Sequence, residues 1–159
     1  MFPFRRLAVW RRAHELALAV HEVTERVYRG RYASLISQMR RSSMSVAANI
    51  AAGSAQVTPA QFARYLTIAV GSARELDYHV LLAKDLGLLP MSDYARLDAR
   101  VDQVAAMVAA LRIRVLERAK SGETPVSPGR VRAVSRPSAL RHPLDGRSPT
   151  SHLPRPLSD

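Results

Sequence analysis

The sequence contains no cysteine. Disulfide scaffolds, thiolate zinc fingers and thiol enzymes are therefore excluded, and the chain reads as intracellular and cytoplasmic. Aromatic residues make up only 6% of it, while alanine, leucine and valine are abundant, which favours helices over a β-sandwich. Lysine is almost missing. Of 24 basic residues only Lys84 and Lys120 are lysines, and the other 22 are arginines. Acidic residues are also few, 13 against those 24, which leaves a formal charge of +11 and a pI near 11.3. Arginine forks suit phosphate and carboxylate, so this imbalance points to an acidic partner, above all nucleic acid.

Long apolar runs are absent too. Leu7–Trp10 has arginines on both sides and is too short for the apolar part of a signal peptide. The longest uncharged run, Ser42–Ala63, carries four serines, Asn49, Gln56, Gln61, Gly53 and Pro59. It reads as a small-residue packing surface followed by a turn, not a membrane span. No serine sits in a nucleophile elbow, and phosphate-binding and dinucleotide-binding glycine loops are missing. A di-iron bundle needs Glu-x-x-His on two helices, but Glu75 lies four residues before His79, and His14 and His21 have no such partner. The expectation is a protein that is not an enzyme and has no metal site or cofactor.

What is present divides near residue 120. Residues 121–159 hold seven of the ten prolines, many serines, no apolar periodicity and a net charge of +3. This Pro/Arg/Ser-rich tail is expected to be disordered, because it cannot bury enough apolar area to offset backbone ordering. Residues 1–120 carry +8. Their periodicity predicts four helices. The first spans Leu7–Tyr28, with the stripe Trp10, Ala13, Ala17, Val20, Val23 and Val27, and stops at Gly30. The second spans Tyr32–Ala52, with Leu35, Met39, Val46 and Ile50 on one side and Gly53 as its stop. The third starts at Thr58-Pro59 with Gln61 as capping-box partner. Its stripe is Phe62, Leu66, Ala69, Ala73, Leu76, Val80 and Ala83, and Gly87 is its C-cap glycine. The fourth starts at Ser92 with Asp93 in its first turn and carries Leu97, Val101, Val104, Val108, Leu111 and Val115. Stripes alternating by three and four, joined by short connections, predict an all-α, antiparallel, up-down-up-down four-helix bundle over residues 1–120.

The arginines are the candidate nucleic-acid contacts. Arg5, Arg6, Arg11 and Arg12 crowd the start of the chain, Arg26, Arg29 and Arg31 the end of the first helix, and Arg40 and Arg41 the second. Arg64 and Arg74 add to the third. Residues 1–41 alone hold nine arginines against three glutamates.

Several ordered motifs resemble one family. Ser43-Met-Ser-Val-Ala-Ala-Asn-Ile-Ala-Ala-Gly53 is similar to its signature S-x-S-I-x-x-N-I-A-E-G, with Gln38 and Arg40-Arg41 upstream. Phe62-Ala-Arg-Tyr-Leu66, Ile68-Ala-Val-Gly-Ser-Ala-Arg-Glu-Leu76 and Leu82–Leu89 resemble its third helix, and Leu7–Trp10 its opening. On these motifs residues 4–117 resemble the four helix bundle proteins encoded by intervening sequences of large-subunit ribosomal RNA genes. Where the signature has glutamate this chain has Ala52, so a role carried by that carboxylate is missing or moved.

The resemblance implies a homopentamer around a central channel. It also implies a fold relationship to the accessory variability determinant of diversity-generating retroelements, a basic pentamer that binds nucleic acid and a reverse transcriptase. The expected partners are thus a second copy of the chain, RNA or DNA contacted through phosphates and, in an alternative reading as an interaction scaffold, a reverse transcriptase. Asn49, Ser72 and Glu75 are the polar residues of the matched motifs. They are expected to form a structural network between the second and third helices.

Overall fold

The computed structural model describes residues 3–27 and 30–121. A 3-10 turn, Phe4–Arg6, leads into α1 (Ala8–Glu25), α2 (Ala33–Ser54), α3 (Pro59–Asp85) and α4 (Met91–Lys120). There is no strand among the described residues. The tail beyond Ser121, with the domain boundary and disorder expected there, lies outside the described residues.

The ends of α3 and α4 carry clear local signals, whereas α1 and α2 start without a side-chain cap. The Thr58 hydroxyl accepts a hydrogen bond from the Gln61 amide at 3.2 Å, and Pro59 occupies the first turn of α3. The reciprocal half of the capping box differs from expectation, since Gln61 Oε1 accepts from the Thr58 hydroxyl rather than from its amide. At the other end Gly87 takes φ = 67°, and the amides of Gly87 and Leu88 donate to the carbonyls of Lys84 and Ala83. These two bonds close a Schellman motif, which needs a residue in the left-handed region. Asp93 lies in the first turn of α4 and Arg118 and Lys120 in the last, both favourable with the helix dipole.

Two expected stops fall elsewhere. α1 ends at Glu25, before Gly30, with the Thr24 hydroxyl donating back to the Val20 carbonyl at 2.7 Å. α2 continues through Gly53 to Ser54. Gly53 is buried where α3 crosses closest: a Cβ there would stand 2.7 Å from Phe62 Cδ2 and 2.8 Å from Tyr65 Cβ. Its role is close approach between helices, not termination.

The four apolar stripes meet in one core. Leu16, Val20, Met39, Val46, Ile50, Leu66, Leu76, Val80, Leu97, Val101 and Val104 are almost fully covered. On α1 Ala13, Ala17, Val20 and Val23 of the expected stripe are buried, and the differences lie at its edge. Val9 and Leu16 are buried, whereas Trp10 is half-buried at the edge, stacked on His14 with ring centres 5.1 Å apart. Fully burying each large side chain contributes about 1.5–3 kcal/mol before the entropy of ordering is subtracted.

Packing partners follow chain order. α2 lies against α1 and α3, α3 against α4, and α4 against α1, whereas the backbones of the diagonal pairs, α1 and α3 or α2 and α4, do not approach closely among the described residues. Cross-helix pairs show the direction. From one end of α2 to the other, Arg41 meets Glu75, Ser45 meets Ser72 and Gly53 meets Phe62, so α2 and α3 run antiparallel. Lys84 lies over Tyr94, Arg74 near Asp102 and Thr67 against Arg112, so α3 and α4 do likewise. No helix among the described residues is long and apolar enough to cross a membrane.

Candidate nucleic-acid interface

The predicted arginines separate into two environments. At the start of the chain, Arg5 and Arg6 close the 3-10 turn and are exposed. Arg11 Nη1 donates to both of their backbone carbonyls at 3.3 Å, which holds its guanidinium against this turn, and none of the three arginines has a carboxylate partner among the described residues. Arg12 pairs with Glu15 at 2.8 Å. Arg64, exposed on the second turn of α3, has no acidic partner among the described residues.

Of the others, Arg26, Arg41 and Arg74 stand among acids, whereas Arg31 and Arg40 have no carboxylate partner among the described residues. Arg26 pairs with Glu22 at 2.6 Å, and Arg74 with Asp77 at 3.3 Å and Asp102 at 3.8 Å. Arg41 bridges Gln38 and Glu75. Arg40 donates through Nε to the buried Thr24 hydroxyl at 2.7 Å, beside the last turn of α1, where carbonyl ends favour a cation. Arg31 lies over the Tyr32 ring, 4.8 Å from its centre. Arg29 lies outside the described residues. Exposed ion pairs are worth only about 0–1 kcal/mol in stability, but they cancel the local field that an anion would feel. The arginines that sequence reasoning grouped together are therefore not equivalent.

The polar residues of α2 and α3 do meet, through a residue outside the predicted trio. Ser45 and Ser72 share a hydrogen bond of 2.9 Å between their hydroxyls. Asn49 donates to the Ser45 carbonyl at 2.8 Å and to its hydroxyl at 3.1 Å. Glu75 is not joined to Asn49. It binds Arg41 one turn further along. Ser45 could have been found from its spacing, four residues after Arg41 and four before Asn49, which places all three on one helical side. The adjacent His79 has its Nδ1 covered and without a partner. Burial lowers its pKa from the ordinary 6.5, Glu75 acts in the opposite sense, and Arg41 adds to the lowering. These bonds tie α2 to α3 in one register.

Among the described residues no three His, Cys, Asp or Glu side chains gather closely enough to hold a metal ion. The half-buried Trp10, Tyr32 and Tyr65 offer little open ring face for stacking on bases. Tyr78 of α3 is the one clearly exposed aromatic ring among the described residues, so guanidinium groups far outnumber stacking surfaces.

The sequence profile of the 23S rRNA-intervening sequence proteins matches residues 5–110, two thirds of the chain. The chain belongs to that family. The fold agrees with a crystal structure of a protein of unknown function from the S23 ribosomal protein family of Bacteroides thetaiotaomicron, with a TM-score of 0.61 at 19% sequence identity. That match covers 66% of this chain and 98% of the other. At such low identity the likeness speaks for the bundle and not for a shared activity. No curated protein matches this chain.

Proposed function

We propose that this family member is a non-enzymatic, oligomeric nucleic-acid-binding protein that grips the phosphate backbone with little sequence selectivity. The observation that carries the reading is the set of exposed arginines at the start of the chain and on α3 that have no carboxylate of their own: Arg5, Arg6, Arg11 and Arg64. Like charges held together gain from an anion that bridges them, and a phosphate backbone supplies one negative charge after another at short intervals. Arginine in place of lysine favours forked contacts to phosphate oxygens. Nothing in the bundle resembles a base-reading module, so positioning contacts dominate.

Self-association, with five copies as the proposed assembly, is supported by one face of the α2/α3 pair. Met44 and Ile68 are exposed there, about one helical turn apart along the bundle, together with Ala48 and Gly71. A Cβ added to Gly71 would meet nothing within 4 Å, so the fold of one subunit does not require glycine there. Mid-helix glycine costs about 0.5–1 kcal/mol relative to alanine, a cost that close approach of another subunit would offset. Of the charges bordering this patch, Arg41 and Glu75 are paired with each other, while Arg64 stands one turn before Ile68.

Salt titration tests the binding reading. If about five phosphates are neutralised per event, log affinity falls against log salt with a slope near −4.5. Binding that ignores salt, or its absence at low salt, would refute the proposal. Light scattering in the same buffers gives the oligomer size.

A further inference from the structure

We infer that the nucleic acid lies across one end of the bundle, and that the last turns of α4, through Arg112, Arg114, Arg118 and Lys120, form half of that surface. This inference rests on the nucleic-acid reading and adds a location and residues that the arginine pattern along the chain does not suggest.

The location follows from the antiparallel order. Arg64 begins α3, and the Thr67–Arg112 bond at 2.8 Å sets the start of α3 beside the end of α4. At the opposite end Glu22 and Thr24, near the end of α1, meet Arg96 and Arg40. A helix rises about 1.5 Å per residue, so Arg5 and Arg6 lie roughly 25 Å from Thr24 along the bundle. The 3-10 turn touches α2, and at that distance it can do so only along the second half of α2. The start of the chain, the start of α3 and the end of α4 therefore share one end.

Dividing the bundle at its middle, near Leu18 of α1, Val46 of α2, Val70 of α3 and Met107 of α4, gives an uneven result. The near half holds nine cations: Arg5, Arg6, Arg11, Arg12, Arg64, and the four of α4. It holds two carboxylates, Glu15 and Glu117. The far half, without the undescribed Arg29, holds eight cations and eight carboxylates. The whole net charge of the described bundle, +7, sits at one end. In the far half most cations lie within 4 Å of an acid, whereas in the near half only Arg12 does. At physiological salt the screening length is about 8 Å, so a compact cluster acts together and a paired one is nearly silent beyond its own contacts. Arg114, Arg118 and Lys120 are exposed, without a carboxylate partner, and their helix needs none of them for its core contacts.

Two triple variants of the full chain with the same change in net charge separate location from total charge. One is R114Q/R118Q/K120Q at the near end, the other R26Q/R74Q/R100Q at the far end. Fluorescein-labelled single-stranded and duplex RNA and DNA are the probes, titrated at several salt concentrations, with circular dichroism melts to confirm folding. The near-end variant loses about tenfold or more in affinity near 0.15 M salt, and its salt slope flattens by up to about 2.7 for three lost phosphate contacts. The far-end variant stays within about twofold of the parent, with its slope unchanged. Equal losses in the two variants, or a larger loss at the far end, would overturn the location while leaving nucleic-acid binding standing. An unmodified chain that binds none of the probes at low salt would remove the binding reading itself.

Discussion

The two halves of this bundle are built alike and charged differently. Both are closed by the same stripes of leucine, valine and alanine, and the core continues through them without a break. Only the surface changes, from a near end with nine cations against two acids to a far end in balance. Packing and electrostatics are thus separable here. The core decides that four helices associate, and nothing in it requires the charge to gather at one end. At the far end the ion pairs stabilise little, but they keep that surface neutral. At the near end self-repulsion opposes folding slightly, which is a cost that makes sense where an anion binds.

That contrast can be broken in four ways, from large effects to small. Leu66→Ala in the near half and Leu76→Ala in the far half remove equally buried side chains. Each is expected to cost about 2–5 kcal/mol in urea unfolding, in one cooperative transition. Separate transitions would show that the halves are not one folding unit. The two interior helix glycines give opposite signs. Gly53→Ala forces a Cβ against Tyr65 and Phe62 and is expected to destabilise by about 1–3 kcal/mol. Gly71→Ala meets nothing within the subunit and is expected to stabilise the isolated fold by about 0.5–1 kcal/mol, while light scattering reports weakened self-association. A stable oligomer carrying a bulky residue at 71 would exclude that face as a subunit contact.

Salt gives a smaller effect. Raising it from low to physiological strength should increase the melting temperature of the parent by a few degrees through screening at the near end. The R114Q/R118Q/K120Q variant should respond less. The smallest effect belongs to His79. Its pKa is lowered in the fold, so the unfolded chain binds the proton more readily. Stability is therefore full above about pH 6.5 and falls as pH drops from there towards the folded-state value. His79→Gln should flatten that part of the stability profile. An unchanged slope would mean that the covered Nδ1 costs nothing.

Much of the fold was legible before any coordinates. The third and fourth stripes were read with nearly every position in its place, because Thr58-Pro59 and Gly87 frame α3 and Pro90 starts α4. α1 was read with Ala13, Ala17, Val20 and Val23 in place, but with Trp10 in the stripe and Leu16 left out. Its apolar residues extend around more than one face, so periodicity alone could not choose between Trp10 and Leu16 for the core. Gly53 was misread for a related reason: the same residue ends a helix or lets another helix approach, and only the neighbour decides. The polar trio was half right, since Asn49 and Ser72 meet through Ser45 while Glu75 turns to Arg41.

By itself the sequence determined the class, the number of helices, the excess of arginine and the family. Those are properties of local periodicity, end signals and ordered motifs, which depend on residues close together in the chain. Where the charge resides was decided by tertiary structure. Counted along the chain, the excess lies in the first 41 residues. Folding returns the end of α4 to the start of the chain and brings Glu75 of α3 against Arg41 and Asp102 of α4 against Arg74. An electrostatic field sums over distance in space and not along the chain, so only the antiparallel packing could place the whole excess at one end.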